Sequence, residues 1–299
     1  AVWQWTHLPR TLLVVGGGVI GCEFASALTA LGTKVTVVEA APALLGGFDA
    51  DLATGLLRCF KKDGITILAG TTVSGLVRSA SGVTVQLAGL NSGDWSGDAV
   101  LVAAGRVPAL DGLIGADFGL TLNARGGLTV DEHLQTTAAG VYAAGDAVGG
   151  LQLAHAAAEM GEIAVFNLLG GKRVFAPGNI PWAMFTEPEA GSVGLGEQQA
   201  RAQGLPVCCG KVPVRTLGRA HATGEIEGLC KVVANRDDGR LLGVHLLGGR
   251  ATDLIAAGAL ALQAQLTVSQ LADAVQAHPT FAEGLREAAR EALRHRNDG

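Results

Sequence analysis

Several features that would assign this sequence to a class of protein are missing from it. The net charge is −5 and the Lys and Arg residues are scattered, so there is no basic stripe of the kind that binds nucleic-acid phosphates. The longest apolar runs, residues 14–20 and 254–262, fall short of the roughly 20 residues that span a bilayer. We therefore expect no nucleic-acid partner and no membrane span.

Cysteine is scarce and shows no pairing pattern. The five cysteines, an odd number, do not form the framework of a disulfide-rich secreted protein, and their spacing suits neither zinc nor haem. This favours a reduced, cytoplasmic setting without a metal site. Cys208 and Cys209 are adjacent, and because adjacent side chains on a strand point to opposite faces, we interpret them as two ordinary thiols.

The 299 residues, 48% of them apolar, are enough for about two compact units. In residues 1–108, apolar β-branched runs alternate with segments of helical periodicity, which is typical of an α/β nucleotide-binding domain with a Rossmann-like fold. Strands are predicted at residues 11–15, 34–38, 65–68, 72–77, 83–87 and 99–103, and helices at residues 19–31 and 50–62.

Two further segments follow this domain. Residues 109–177 are too few for an independent fold, and they contain a predicted strand at 140–144, a Gly-Asp turn and a predicted helix at 153–169. Residues 178–299 change in character and indicate an α+β domain. Its strands are predicted near 183–185, 229–234 and 243–247, and its helices at 251–265, 269–276 and 281–295.

A glycine-rich turn lies between the first predicted strand and the first predicted helix. Residues 16–21 contain the pattern G-x-G-x-x-G, and Glu39 ends the next strand, 18 residues after the last glycine. Gly16 permits the tight turn, Gly18 lets a pyrophosphate approach the backbone, and Gly21 lets helix and strand pack. The pattern predicts a dinucleotide site, although a turn that serves only packing, with Glu39 as a solvated strand end, is the alternative.

Glu39 also bears on the choice of cofactor. A carboxylate at the ribose position accepts hydrogen bonds from hydroxyl groups and repels a 2′-phosphate, and residues 40–45 contain no Arg that would receive one. These residues favour NAD over NADP. The pattern alone does not distinguish NAD from the ADP half of FAD, which is bound by the same physics.

Five further motifs occur in a fixed order along the chain. In that order they resemble the pyridine nucleotide-disulfide oxidoreductases over essentially the whole length, and most of all the dihydrolipoamide dehydrogenases of that family. The motifs are Gly105-Arg106-Val107-Pro108, Val141-Tyr142-Ala143-Ala144-Gly145-Asp146, Leu153-Ala154-His155-Ala156, Thr186-Glu187-Pro188-Glu189 and His278-Pro279-Thr280-Phe281-Ala282-Glu283.

The resemblance implies FAD and NAD as cofactors. In such enzymes the positions of Gly145 and Asp146 hold the flavin, with the Asp bonded to the ribityl chain, and residues 152–155 lie against the isoalloxazine ring. Asp146 as a simple turn residue and His155 as a helix-start residue without chemistry remain alternatives. The implied cofactor-binding residues are Gly16, Gly17, Gly18, Val19, Ile20, Gly21, Cys22, Glu23, Glu39, Val73, Gly105, Arg106, Gly145, Asp146, Gln152, Leu153, Ala154 and His155.

The resemblance also implies a pair of catalytic residues. His278 matches the family's proton acceptor, which takes a proton from the dithiol substrate, and Glu283 matches the carboxylate that orients this base. A thiolate is the reactive form of sulfur, so a base with a pKa near 7 is appropriate. Residues 280–283 equally match a T-x-x-E capping box, so Glu283 as a helix cap is an alternative or additional role.

The family resemblance divides the chain into an NAD-binding domain (1–108), a central segment that completes the FAD domain (109–177) and an interface domain (178–299). It implies a homodimer in which one subunit completes the active site of the other, oxidation of dihydrolipoamide with NAD, and service to a 2-oxo acid dehydrogenase complex. The family's redox pair, C-x-x-x-x-C, and its FAD-anchoring glycine turn have no counterpart here. We therefore expect an N-terminal portion to be missing.

Smaller departures leave the substrate open. Gln276 stands where a further His is usual in dihydrolipoamide dehydrogenases, and Phe281-Ala282 stands where Leu-Ser is commoner. Reductases of glutathione, mercuric ion or another disulfide are the nearest alternatives within the family. A non-catalytic module that dimerises and binds a nucleotide is the alternative from a different class.

Overall fold

The structure is a computed structural model that describes residues 2–80, 82–112 and 119–297. Two compact units are present: one combines the residues up to Ala104 with those from Pro181 onward, and the other runs from Gly105 to Ile180. The first hundred residues contribute β1 (Thr11–Val15), α1 (Val19–Ala30), β2 (Lys34–Glu39), α2 (Ala50–Lys62), β3 (Thr66–Ala69), β4 (Thr71–Ser79), β5 (Gly82–Gly89), β6 (Gly93–Gly97) and β7 (Ala99–Val102).

Residues 11–102, called here the nucleotide-binding segment after the domain predicted from the sequence, are built on a four-stranded parallel sheet in the order β3-β2-β1-β7. The central residues Leu12, Leu13 and Val14 of β1 are fully buried, as expected for a parallel strand that is covered on both faces. β1 has its successor β2 on one side and β7 on the other, so the strand order reverses beside it. Ligands bind at the carboxyl ends of strands at such a point.

Most elements of this segment were predicted correctly. β1 and α2 have the predicted bounds, and the other predicted elements agree within two residues at each end. β6 was not predicted, because two glycines flank its polar residues and only Trp95 supplies a large apolar side chain. It forms a strand by pairing with β5, where Val85 lies opposite Trp95 in a three-stranded antiparallel sheet.

The second unit contains little regular structure. Its described part holds α3 (Ala154–Leu168), a turn of 3-10 helix at Gly145–Val148 and a small core around Leu134, Met160 and Ile163. The strand predicted at 140–144 is wrong: Tyr142 forms only an isolated bridge with Gln135. The run pairs with residues 134–136 through two backbone hydrogen bonds, Thr136 to Val141 and Ala143 to Leu134, and this pairing is too short to make a strand.

The remaining elements of the first unit are β8 (Trp182–Met184), β9 (Ala190–Gly194), α4 (Glu197–Ala202), β10 (Val207–Pro213), α5 (Gly218–Thr223), β11 (Leu229–Asn235), β12 (Leu241–Leu247), α6 (Ala251–Gln263), α7 (Val268–Asp273) and α8 (Glu283–Asn297). The strands form an antiparallel sheet in the order β10-β11-β12-β9-β8. α8 packs against β10 and β11, and α6 packs against β12 and β9. This is the α+β arrangement that the sequence predicted.

Several bounds in this part differ from the prediction. β9, β10, α4 and α5 were not predicted as elements, and α7 ends at Asp273 rather than at residue 276. α8 begins at Glu283 rather than at residue 281, because the amides of Gly284 and Leu285 bond to carbonyls only three residues earlier and form a turn. Among the described residues, no helix is long and apolar enough to cross a membrane.

A buried cluster of charges joins the nucleotide-binding segment to the C-terminal sheet. Lys231 is 2% exposed, and its Nζ lies 3.0 Å from Oδ2 of Asp49, 2.7 Å from Oδ2 of Asp51 and 2.9 Å from Oε2 of Glu197. Burial opposes the charged form of Lys231, but the three carboxylates outweigh burial and raise its pKa. The cation is therefore retained at the contact between the two segments.

Candidate functional site

The glycine turn after β1 is shaped by close backbone contacts. Gly16 has a φ of 111°, and a Cβ at this position would collide with the carbonyl oxygen of Ala103. A Cβ at Gly21 would collide with the carbonyl oxygen of Gly16, so α1 can only approach the turn closely without a side chain there. A Cβ at Gly18 would meet no atom within 4 Å, so this side of the turn is open. Gly16 and Gly21 thus permit the tight turn and the close packing of helix against turn, and Gly18 leaves open the side where the sequence predicts a pyrophosphate.

The N-terminus of α1 faces this open side of the turn. Gly18 is the N-cap, no side chain caps the helix, and its first turn contains no acidic residue. The first helical hydrogen bond runs from the amide of Cys22 to the carbonyl of Gly18, so the amides of Val19, Ile20 and Gly21 have no partner inside the helix. Such an end attracts an anion through its free amides and its partial positive charge.

Glu39, at the end of β2, is held in place by two backbone amides. Its Oε2 accepts a hydrogen bond from the Gly17 amide at 2.7 Å, and its Oε1 accepts one from the Ala41 amide at 2.7 Å. Each carboxylate oxygen has further acceptor capacity. The open turn and this fixed acceptor fit the pyrophosphate and the ribose hydroxyls of a dinucleotide.

Three other residues predicted to bind a cofactor are engaged within the protein. Cys22 is fully buried beneath the turn, and its Sγ lies 3.6 Å from the carbonyl oxygen of Gly17. Glu23 accepts a hydrogen bond from the amide of Phe185 at 2.9 Å. Val73 on β4 is partly buried in the core beneath the three-stranded sheet. These contacts hold the residues around the glycine turn in place. None of these three side chains occupies the open side of the turn.

The residues predicted to hold the flavin belong to the second unit. Gly145 has a φ of 66°, and Asp146 lies in the short 3-10 helix that begins there. Arg106, which follows Gly105, places its Nη1 3.6 Å from Oδ2 of Asp146 and donates through Nη2 to the carbonyl oxygen of Gln152. The structure thus brings together three of the predicted residues.

The beginning of α3 completes this group. Leu153 is its N-cap, and no side chain caps the helix. Ala154 and His155 are its first residues, and both are exposed. The half-exposed carboxylate of Asp146 fits the hydroxyl groups of a flavin's ribityl chain. The uncapped N-terminus of α3 fits the electron-rich edge of the flavin ring.

His278 and Glu283, which the family resemblance pairs, are in contact in the structure. His278 Nδ1 lies 2.9 Å from Glu283 Oε1, and Glu283 Oε2 accepts a hydrogen bond from the Thr280 amide at 2.9 Å. Glu283 therefore also satisfies an amide ahead of α8, as the capping alternative predicted. The hydroxyl of Thr280 donates to the carbonyl of Ala277, so the other half of a capping box is replaced by a turn.

The geometry of the pair suits an acid-base group. Because a carboxylate only accepts, Nδ1 of the neutral His278 ring carries the hydrogen, and Nε2 has the free lone pair. The His278 side chain is 75% exposed, which leaves Nε2 accessible. The hydrogen bonds from His278 and Thr280 lower the pKa of Glu283, so its carboxylate is ionised near neutral pH.

The cysteines do not supply a reactive thiol. All five are free, and burial, the largest cause in each case, raises their pKa values, to about 12 for Cys22, Cys209 and Cys230 and to about 11 for Cys59. Burial also raises the pKa of Cys208, and since the thiolate is the nucleophilic form, burial disfavours the reactive state of all five thiols. Among the described residues, no group of acidic, His or Cys side chains is arranged to hold a metal ion.

A parallel sheet, an open glycine turn before a helix and a fixed carboxylate after the next strand define a dinucleotide-binding α/β protein. Residues 2–161 match the family described as pyridine nucleotide-disulphide oxidoreductase, and residues 180–289 match its dimerisation domain. The chain belongs to the pyridine nucleotide-disulphide oxidoreductase family. The enzymes of this family use FAD and NAD.

Individual relatives agree with this assignment. The chain is 36% identical to the dihydrolipoyl dehydrogenase of Geobacillus stearothermophilus over 96% of its own length, and 38% identical to that of Thermus scotoductus over 98%. It covers 61% and 65% of these two proteins, respectively, and so spans less than two thirds of the relatives it matches.

Solved structures share the fold over nearly the whole chain. LpdA from Mycobacterium tuberculosis has a TM-score of 0.89 at 33% identity, with 97% of this chain and 63% of that chain covered. The HOCl-induced flavoprotein disulfide reductase RclA from Escherichia coli has a TM-score of 0.88 at 32% identity, with 97% and 66% covered. The fold predicted from the sequence is confirmed.

Two features of the site were not evident from the sequence. The link from Arg106 to Asp146 and Gln152 joins positions 40 and 46 residues apart, which no local pattern records. Gly218, at the start of α5, lies beside the pair, since a Cβ there would be 3.8 Å from Cε1 of His278. Both depend on tertiary contacts.

Proposed function

We propose that this chain is the NAD-binding and interface part of a dihydrolipoyl dehydrogenase, which oxidises protein-bound dihydrolipoamide with NAD as the acceptor. The observation that carries the proposal is the contact of 2.9 Å between His278 and Glu283 in a chain that also has a dinucleotide turn. Relatives with that name at 36% and 38% identity support the choice of substrate.

The nucleotide-binding part of the proposal rests on the first unit. The pyrophosphate of NAD lies over residues 16–23, where Gly18 leaves room and the amides at the start of α1 donate hydrogen bonds. Glu39 accepts hydrogen bonds from the adenosine ribose. Because Gly17 and Ala41 already fix its carboxylate, little orientational freedom is lost on binding.

The flavin part of the proposal rests on the second unit. FAD, when bound, transfers electrons between the dithiol-disulfide couple and the nicotinamide. Asp146 would hold the ribityl chain, and residues 152–155 would lie against the isoalloxazine ring. We accordingly propose a division of the chain into an NAD-binding domain (1–108), a segment completing the FAD domain (109–177) and an interface domain (178–299).

His278 is the proposed proton acceptor, and Nε2 is the atom that takes the proton. Nε2 of His278 accepts a proton from the dithiol substrate, so that the sulfur becomes the more reactive thiolate. Glu283 keeps the hydrogen on Nδ1 and stabilises the resulting imidazolium, as the third member of a nucleophile-base-orienter set does. Its lowered pKa keeps it anionic for this role.

The proposed protein acts as a homodimer, in a stated location and with a stated partner complex. The match of residues 180–289 to a dimerisation domain supports a homodimer. In that dimer, His278 of one subunit serves the active site of the other, and its high exposure in a single chain, 75% of the side chain, is consistent with a partner. The proposal includes a cytoplasmic location, which the unpaired cysteines favour, and a 2-oxo acid dehydrogenase complex as the client, which the relatives' activity favours.

A second candidate is the reduction of another disulfide by the same family chemistry. The fold shared with the disulfide reductase RclA, at a TM-score of 0.88, supports it. The complete protein distinguishes the two functions: turnover of dihydrolipoamide with NAD should exceed that of glutathione or other disulfides with NADH or NADPH. Absence of any dihydrolipoamide turnover in a protein with bound FAD would reject the first candidate.

The chain itself allows a separate test. It contains the whole glycine turn and Glu39, so NADH should bind, weakly, in a fluorescence titration. It contains only part of the proposed flavin site, and because affinity depends on contacts to both ends of a ligand, FAD affinity should be at least about a hundredfold lower than in the complete protein. The purified chain should be colourless. A yellow chain that reduces lipoamide unaided would contradict the proposal.

A further inference from the structure

Arg106 connects two stretches of the second unit that are far apart in the sequence. Its Nη2 donates a hydrogen bond to the carbonyl oxygen of Gln152, and its Nη1 lies 3.6 Å from Oδ2 of Asp146. In return, Nε2 of Gln152 lies 3.5 Å from the carbonyl oxygen of Arg106. One side chain thus bridges the Gly-Asp turn and the residues that precede α3.

Gln152 has a backbone conformation that requires such a partner. Its φ is 53°, in the left-handed region that residues with a Cβ rarely adopt. A conformation of this kind persists only where the surroundings hold it. Here the carbonyl group is held by the guanidinium of Arg106, and the side-chain amide reaches the backbone of the same residue. The direction in which the chain enters α3 therefore depends on Arg106.

The contact with Asp146 has a different character. The side chains of Arg106 and Asp146 are 52% and 49% exposed, and ion pairs at this exposure contribute little to stability. At 3.6 Å, Nη1 attracts the Asp146 carboxylate as a charge, while the planar fork of the guanidinium directs Nη2 at the Gln152 carbonyl in a way that an ammonium group does not. The geometry is therefore suited to orienting two groups relative to each other rather than to stabilising the fold.

We propose that Arg106 is a positioning residue that holds the Asp146 carboxylate and residues 152–155 in one arrangement, ready for the flavin. This inference rests on the flavin-binding role proposed above for both stretches. Groups that are fixed before a ligand arrives lose less conformational freedom on binding. Loss of the bridge should therefore weaken FAD binding and leave NADH binding unchanged.

The test compares Arg106→Gln and Arg106→Lys with the control Arg125→Gln, which removes the same charge from an exposed residue whose described contact is made by its backbone amide. FAD is titrated into the apo form of each complete protein, and flavin fluorescence and the visible spectrum are recorded. Arg106→Gln should weaken FAD binding about tenfold or more, the scale for losing the outer partner of a ligand residue at metal sites. Arg106→Lys should lie between Arg106→Gln and the control.

A second measurement does not depend on FAD. Hydrogen exchange of the amides at residues 152–156 in the chain itself should be faster in Arg106→Gln than in Arg125→Gln. If the wild-type complete protein binds no FAD, the proposed function fails, and the exchange rates still show whether Arg106 holds this segment.

Two results would overturn the inference. Exchange at the control rate would show that Arg106 does not hold residues 152–156. Faster exchange together with unchanged FAD affinity and spectrum would show that the bridge serves the fold alone. If Arg106→Gln does not fold, the same two comparisons are made with Arg106→Lys, which keeps the charge but not the fork.

Discussion

Glu39 and Glu283 are two carboxylates that are each held by two donors, yet the donors differ. Glu39 accepts from two backbone amides, those of Gly17 and Ala41. Glu283 accepts from one backbone amide, that of Thr280, and from the ring of His278. An amide donor does not change its protonation in the physiological range, whereas an imidazole does. The first arrangement suits a fixed recognition site, and the second suits proton transfer.

The largest expected effect comes from removing His278, the titratable donor to Glu283. His278→Gln in the complete protein should slow dihydrolipoamide oxidation by about a hundredfold or more, because a general acid-base group contributes on that scale. Steady-state turnover is the measurement, with His7→Gln at an exposed site as the control. Unchanged turnover in a dimer with bound FAD would leave His278 with a structural role only.

The next largest effect is expected from reversing the charge at Glu39. Glu39→Arg replaces an acceptor for ribose hydroxyls with a group that pairs with a 2′-phosphate, so the preference for NADH over NADPH should fall by about tenfold or more. Fluorescence titrations of the chain with both nucleotides measure this. Asp94→Arg, at an exposed position on β6, makes the same charge change and should keep the preference. Equal affinities of the wild-type chain for both nucleotides would refute the assignment of NAD.

A smaller effect tests whether the amide of Gly17 matters to Glu39. A Cβ at Gly17 would crowd the side chain of Leu44 and lie 3.1 Å from Cβ of Glu39. Gly17→Ala should therefore displace the carboxylate and weaken NADH binding about threefold, since the neighbouring side chains can partly adjust. Gly46→Ala, where a Cβ meets no atom within 4 Å, is the matched control. Equal affinities of the two variants would show that the carboxylate is not held tightly.

The smallest effect concerns stability and pH. The pKa of Glu283 is lowered by its hydrogen bonds from His278 and Thr280, so its contribution to stability is present above the usual value of 4.5 and is lost as the pH falls through the folded-state pKa. Glu283→Gln should therefore be slightly less stable than the wild type at neutral pH, and the difference should shrink in acid. Denaturant unfolding at several pH values measures it. A difference that grows below pH 4.5 would contradict this sign.

Local patterns predicted most of the nucleotide-binding segment because its elements carry strong apolar periodicity. β1 and α2 have the predicted bounds. β9 was missed, because its small residues and two glycines carry no strand signal, and it is a strand only through its pairing with β8 and β12. The strand expected at 140–144 failed for the opposite reason: the run is apolar, but among the described residues it pairs only through one isolated bridge, between Tyr142 and Gln135.

The same distinction holds for the site residues. Spacing around the first two strands predicted the glycine turn and Glu39, whereas His278 and Glu283 were predicted from the family resemblance, because spacing alone equally matched a helix cap. The orientation of Glu39 depends on an amide 22 residues away, and the bridge of Arg106 reaches a carbonyl 46 residues away. Contacts between distant residues form only when the chain packs, because periodicity determines which face of an element is buried but not which groups meet across the fold.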